Sequence, residues 1–204
     1  MPVHPDIQRV LYSEERIAAA LDRVAAEIQR ALAPTGNASP GREASEPGFT
    51  LVAVLKGACV FAADLLRRLD GPVELAFVAA SSYRDGTTSG ALELNLFPSQ
   101  AEIQGRRLLL VDDILDTGRT LQALSRELLA RGAHEVRTCA FLDKPARRLV
   151  DLEADFRCFE VEDLFVVGYG LDFAGRYRNL PYVGELKPEV FSRSPAPAGL
   201  RAEA

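Results

Sequence analysis

Three carboxylates and a glycine-centred turn stand together in Asp112-Asp113-Ile114-Leu115-Asp116-Thr117-Gly118-Arg119-Thr120, directly after an unbroken apolar run, Leu108 to Val111. Ionised carboxylates only accept hydrogen bonds, so the Asp112-Asp113 pair suits neighbouring sugar hydroxyls, and its hard oxygens equally suit Mg²⁺. Both readings stay open. Thr117, Gly118, Arg119 and Thr120 add two hydroxyls, a permissive backbone and a positive charge just ahead of a leucine-rich helical stretch. The first N–H groups of a helix have no partner within it, and such a place attracts a phosphate-sized anion. For the acidic pair alone a solvated strand end is an equal alternative; with the turn directly behind it, a ligand site is the stronger reading.

The elements that must position these residues are legible around them. Leu108 to Val111 reads as a strand buried on both faces of a parallel sheet. Unpaired buried carboxylates are costly, so the acidic pair should emerge at the carboxyl edge, where open α/β sheets bind ligands. Phe49 to Leu55 is a second apolar strand ending in Lys56-Gly57-Ala58, ahead of a helix from about Cys59 to Leu69. After the Gly71-Pro72 break, Val73 to Ala80 forms a third strand that runs into Ser81-Ser82-Tyr83. The polar, glycine-flanked Arg84 to Gly90 reads as a mobile loop before an alternating strand, Ala91 to Phe97. Leu121, Leu124, Leu128 and Leu129 give a helical face closed by Gly132 at C′. Val136 to Leu142 leads into Asp143-Lys144-Pro145, and Phe165 to Gly170 is a last buried-strand candidate. Upstream, Ser13 caps an amphipathic helix carrying Ile17, Leu21, Val24, Ile28 and Leu32.

This order of elements predicts a doubly wound α/β fold on a mainly parallel sheet, with a small cap from the N- and C-terminal segments. One domain spans residues 1–191, its core about 49–170 and its cap about 1–33 and 171–191. Residues 34–48, rich in Gly, Pro, Ser and Ala, read as a flexible insertion, and 192–204 as a disordered tail.

The chain has 204 residues, a formal net charge of −5 and a pI near 5.2, which argues against a general nucleic-acid or anionic-membrane binder. Cys59, Cys139 and Cys158 are odd in number and set in apolar stretches, so they read as reduced core thiols and favour the cytoplasm. Neither a secretory leader nor an apolar run long enough to span a membrane is indicated. His4 and His134 have no partner at ligand spacing, and neither a dinucleotide fingerprint nor a Walker sequence is present.

Residues 112–120 resemble, almost residue for residue, the signature of the type I phosphoribosyltransferases, which bind 5-phosphoribosyl 1-diphosphate. The resemblance implies that Asp116, Thr117, Gly118, Arg119 and Thr120 cradle the 5-phosphate, and that Asp112 and Asp113 contact the ribose hydroxyls; many members carry Glu where this chain has Asp112. Three further segments narrow the likeness to the hypoxanthine/guanine branch, over about Phe49 to Leu186. Leu55-Lys56-Gly57 is similar to that branch's diphosphate loop, where a strained, often cis peptide precedes the lysine. Lys144 resembles the lysine that donates to the purine 6-oxygen, and an ammonium cannot accept from an adenine amino group. Phe165 and Val166, with Ile114, match the purine pocket. Asp172 resembles an aspartate associated with Mg²⁺, alongside Asp112 and Asp113, and Arg178 an arginine on the diphosphate. Ser82-Tyr83 matches a lid.

The implied reaction displaces diphosphate from the ribose by N9 of hypoxanthine or guanine, with Asp116 exchanging a proton at N7 as general acid/base and Mg²⁺ as cofactor. The implied partners are these small molecules, with a homodimer or homotetramer as assembly. A phospho-receiver domain is a rival, since an apolar strand ending in Asp-Asp and a later Lys-Pro belong to that fold too; here Lys144 follows only one helix and one strand later. A non-catalytic, RNA-binding regulator of the same fold is a second rival, and a sister enzyme for xanthine, adenine or orotate is a third.

Overall fold

A computed structural model describes residues 2–32, 48–82 and 92–192, with the side chains of 80–82 and 92–94 left aside. Residues 34–47 of the expected insertion, Tyr83 with the loop after it, and the tail beyond Ser192 lie outside the described residues, as does the Ser82 side chain.

Strand β1 (Ile7–Tyr12) and helix α1 (Glu14–Leu32) open the chain; the Ser13 Oγ accepts from the Arg16 N–H at 3.4 Å, as an N-cap does. There follow β2 (Phe49–Leu55), α2 (Cys59–Leu66), β3 (Val73–Ser82), β4 (Leu92–Leu96), α3 (Gln100–Ile103), β5 (Arg107–Leu115), α4 (Arg119–Ala130) and β6 (Glu135–Asp143). A short 3₁₀ turn, Pro145–Arg147, leads to β7 (Phe156–Glu160), β8 (Val166–Val167), β9 (Val183–Leu186) and α5 (Pro188–Ser192).

The main sheet has the order β4-β3-β2-β5-β6-β7, parallel except for the antiparallel edge pair β3–β4. Successive residues of β5 serve opposite faces. Leu109 and Val111 pack with α1 and α2, while Leu108 and Leu110 pack with Leu121, Leu124 and Leu128 of α4. That two-faced burial is why the run carries no polar alternation. At the far end of α4, the Gly132 N–H bonds to the Leu129 carbonyl and the Ala133 N–H to the Leu128 carbonyl, with Gly132 at φ +94°, a Schellman closure.

From β2 the chain crosses through α2 to β3 on one side, and from β5 it crosses through α4 to β6 on the other. The neighbours β2 and β5 therefore part at their carboxyl ends, which is where an open α/β sheet leaves its crevice.

A second, antiparallel sheet, β1-β9-β8, sits over its own core of Ile7, Val167, Phe173, Tyr177, Leu180, Tyr182 and Leu186. It joins the chain ends, for Ile7 faces Leu186 and the Tyr177 hydroxyl donates to Asp6 at 2.7 Å.

Several expectations are corrected. Phe165–Gly170 is not a central strand: only Val166–Val167 is extended, and it belongs to the small sheet. The positive φ of Gly168, Tyr169 and Gly170 turns the backbone away after two residues. Strands β1, β7 and β9 were not anticipated, and α2 ends three residues early. Cys59 is exposed and not a core thiol, whereas Cys139 and Cys158 are buried. No helix among the described residues is long and apolar enough to cross a membrane.

Candidate active site

Strand β5 does not stop at the acidic pair. It stays in register with β6 through Leu115, which faces Asp143. Asp112, opposite Ala140, is consequently only 7% exposed, and Asp113 is half-buried at the crevice wall. Burial, and then the charge of Asp113, push the Asp112 carboxyl well above the usual carboxylate range. Burial raises Asp113 as well, against hydrogen bonding from Asp112 and the more distant charge of Arg178. Two carboxyls coupled in this way titrate as a pair, and Asp112 is the member pushed further up.

A cleft of about 500 Å³ opens beside the carboxyl ends of β5 and β6, lined by Asp113, Ile114, Asp116, Lys144, Phe165, Val166 and Asp172 among others. These seven of the motif residues thus meet in one cleft, whereas Lys56, Gly57, Asp112, Thr117 to Thr120 and Arg178 do not line it. Lys144, 8% exposed, donates from Nζ to the Leu164 carbonyl at 2.7 Å and lies 3.5 Å from Asp163 Oδ1. A buried ammonium needs such partners, and with three donors it keeps one for the cleft.

Beyond Asp116 the chain turns at Gly118, φ +82°, into α4, which has no side-chain cap and no acidic residue in its first turn. Apart from the Arg119 N–H, which reaches the Thr117 Oγ1 at 3.5 Å, its first N–H groups and its dipole are thus left for an anion. Arg119 and Thr120 are exposed, and Thr117 is half-buried.

Lys56 is exposed at the tip of the loop after β2, and the Leu55–Lys56 peptide is cis. The Asp113 carboxylate rests against Gly57. Arg178 does not line the cleft directly; it donates to the Gly170 carbonyl at 2.5 Å and pairs with Asp172 Oδ1 at 2.5 Å. The other Asp172 oxygen accepts from the Gly175 N–H at 2.7 Å.

Among the described residues no cluster of three or more His, Cys, Asp or Glu is arranged to hold a metal. Asp113 and Asp172 nevertheless line the same cleft. Mg²⁺ is commonly held by one or two carboxylates together with substrate phosphates, so this donor set fits that ion. Asp112, buried and outside the cleft lining, is the poorer donor of the three.

The chain matches the family described as phosphoribosyl transferase domain over residues 9–174. It belongs to the phosphoribosyltransferase family. A hypoxanthine-guanine phosphoribosyltransferase of Streptococcus agalactiae is 42% identical over 188 residues, 92% of this chain and 98% of that one. The bifunctional TilS/HprT protein of Listeria monocytogenes is 42% identical over 190 residues, 93% of this chain but 28% of that protein. Among solved structures, a hypoxanthine phosphoribosyltransferase of Staphylococcus aureus has a TM-score of 0.80 at 36% identity, covering 92% of this chain and 96% of its own. A hypoxanthine phosphoribosyl transferase of Trypanosoma cruzi has a TM-score of 0.84 at 34% identity, covering 94% and 97%. The doubly wound fold of this phosphoribosyltransferase is shared with them.

Five residues of the phosphoribosyltransferase cleft, Arg147, Asp163, Leu164, Leu171 and Phe191, are not marked by the motifs. Arg147 Nε lies 3.2 Å from Asp116 Oδ1 and its NH1 3.6 Å from Asp163 Oδ2, so Asp116, Arg147, Asp163 and Lys144 alternate in charge across the cleft. Phe191 of α5 stacks on Phe165, centroids 4.9 Å apart and planes 16° from parallel. Leu171 completes the wall. The Arg-Arg after Lys144-Pro145 was the one sequence signal available; Asp163 and Phe191 gave none.

Proposed function

We propose that this phosphoribosyltransferase salvages 6-oxopurines, moving the 5-phosphoribosyl group of 5-phosphoribosyl 1-diphosphate to N9 of hypoxanthine or guanine and releasing diphosphate and IMP or GMP. The observation that carries this is the single cleft in which the Lys144 ammonium and the Asp116 carboxylate both meet Phe165 and Val166, beside the uncapped start of α4. Lys144 donates to the 6-oxygen, the Phe165 ring stacks on the base, and Ile114 and the Val166 backbone complete its pocket. Asp116 exchanges the proton at N7. The turn Asp116–Thr120 binds the 5-phosphate, and Asp112 and Asp113 serve the ribose hydroxyls.

Lys56, the Gly57 backbone and Arg178 hold the diphosphate. Asp172 and Asp113 would hold Mg²⁺, which when bound would supply positive charge against the leaving diphosphate. In this reading the core is about 49–170 with α1 packed against it, the cap is built on the β1-β9-β8 sheet, the enzyme works in the cytoplasm, and it assembles as a homodimer or homotetramer. The C-terminal region of the Trypanosoma cruzi enzyme has been studied for its role in oligomeric state and activity.

The test supplies Mg²⁺ and 5-phosphoribosyl 1-diphosphate with hypoxanthine, guanine, xanthine and adenine in turn and measures the nucleotide formed. Turnover with hypoxanthine or guanine and none with adenine is expected. No turnover with any oxopurine overturns the proposal.

A further inference from the structure

We infer that Arg148 is a positioning residue for the phosphate-binding turn, holding the peptide planes of Leu115 to Gly118 from beneath. The inference rests on the reading of that turn as the 5-phosphate site. A turn that points its N–H groups at an anion points carbonyls the other way, into protein, where each needs a donor. Arg148 supplies it. One guanidinium nitrogen donates to the Leu115 carbonyl at 3.0 Å and also to the Asp116 carbonyl, and the other bonds to Asp143 Oδ1.

The next residues continue the floor. The Leu149 N–H donates to the Thr117 carbonyl at 3.0 Å, and a Cβ on Gly118 would lie 2.7 Å from Val150 Cγ2 and 3.0 Å from Arg148 Cδ. Residues 148–150 thus touch all four residues from Leu115 to Gly118. The Arg148 side chain is 15% exposed and that of Asp143 4%, so the assembly is shielded from competing water.

Its role is geometric before it is electrostatic. Asp143 offsets only part of the guanidinium charge, because its other oxygen lies 3.5 Å from Arg157 NH1. The planar fork, however, serves two carbonyls and a carboxylate at once, which a lysine's single nitrogen cannot do in the same geometry. Arg148 therefore fixes the turn before the ligand arrives, and a turn already ordered binds more tightly than one ordered by its ligand.

The experiment compares GMP, guanosine and inorganic diphosphate binding by calorimetry, with melting temperatures alongside. The wild type should bind GMP more tightly than guanosine. In Arg148→Lys that phosphate increment should shrink by about tenfold, the worth of one charge-assisted hydrogen bond, with guanosine and diphosphate affinities kept. An equal loss for all three ligands, or a lower melting temperature with the increment intact, marks Arg148 as merely structural and overturns the inference. Should Arg148→Lys not fold, Asp143→Asn releases the same fork and carries the comparison with the same outcomes. Absence of any increment in the wild type instead overturns the phosphate reading of the turn.

Discussion

The carboxylate of Asp113 fills the space that a side chain on Gly57 would occupy: an ideal Cβ there would lie 1.7 Å from Oδ2 and 2.3 Å from Cγ. The Gly57 carbonyl oxygen, in turn, lies 2.3 Å from where a Cβ on Gly170 would be. The end of β2, the end of β5 and the segment after β8 thus meet with no room for a methyl group. Gly57→Ala should displace Asp113 and lower kcat/KM by roughly 10²-fold, the scale of a 1 Å misplacement, with a small change in melting temperature. Kinetics near wild type would show that Asp113 need not stand where it does.

Asp116→Asn should lower kcat by roughly 10²–10⁴-fold, the usual worth of a general acid/base. The amide keeps an oxygen for Arg147, which lies 3.2 Å from Asp116 Oδ1, so substrate binding should largely survive. Steady-state kinetics with separate kcat and KM decide it, and wild-type turnover removes Asp116 from the proton transfer.

The parallel core was readable because Leu51–Leu55 and Leu108–Val111 are continuous apolar runs that no amphipathic helix would carry. The small sheet was not. Its strands are short, and β1 pairs with β9 across nearly the whole chain, Ile7 with Leu186, so no local period announces it. In the site, Asp113, Asp116, Lys144 and Phe165 stood inside recognisable motifs. Asp112 is buried rather than emergent at the strand edge for a physical reason: each further residue of pairing along β5 buries what a strand end would expose, and pairing runs on to Leu115. Arg147 and Asp163 look like ordinary surface charges until the fold sets them on one cleft.

Asp112→Asn should stabilise the protein at neutral pH. In the unfolded chain the carboxyl titrates near 3.8, and folding raises it well above that through burial and the charge of Asp113. Between the two values the folded form keeps a proton that the unfolded form has released, so stability falls as pH rises through this window. An amide of the same shape, still able to accept from the Asp113 N–H, escapes that loss. The melting temperature of the variant should exceed wild type at pH 7 by about 2–4 °C for each kcal/mol regained. The gap should close as pH falls toward about 4. Fluorimetry across pH without Mg²⁺ or substrate reads this, and a gap that does not change with pH sinks it.

Lys144→Gln should loosen base selection. The ammonium only donates, whereas an amide both donates and accepts, so the variant can meet a 6-amino group as well as a 6-oxygen. Loss of one charge-assisted bond to the 6-oxygen should lower kcat/KM for hypoxanthine and guanine by about 10–100-fold. Part of the change falls on the protein itself, because the Leu164 carbonyl, 2.7 Å from Nζ, and Asp163 lose their cation. Measuring adenine beside the oxopurines separates the two contributions: general damage to the cleft lowers every base alike, while a specificity role narrows the ratio between oxopurine and adenine. An unchanged ratio with uniformly lower rates assigns Lys144 to the architecture of the cleft and leaves the choice of base to the backbone at Val166.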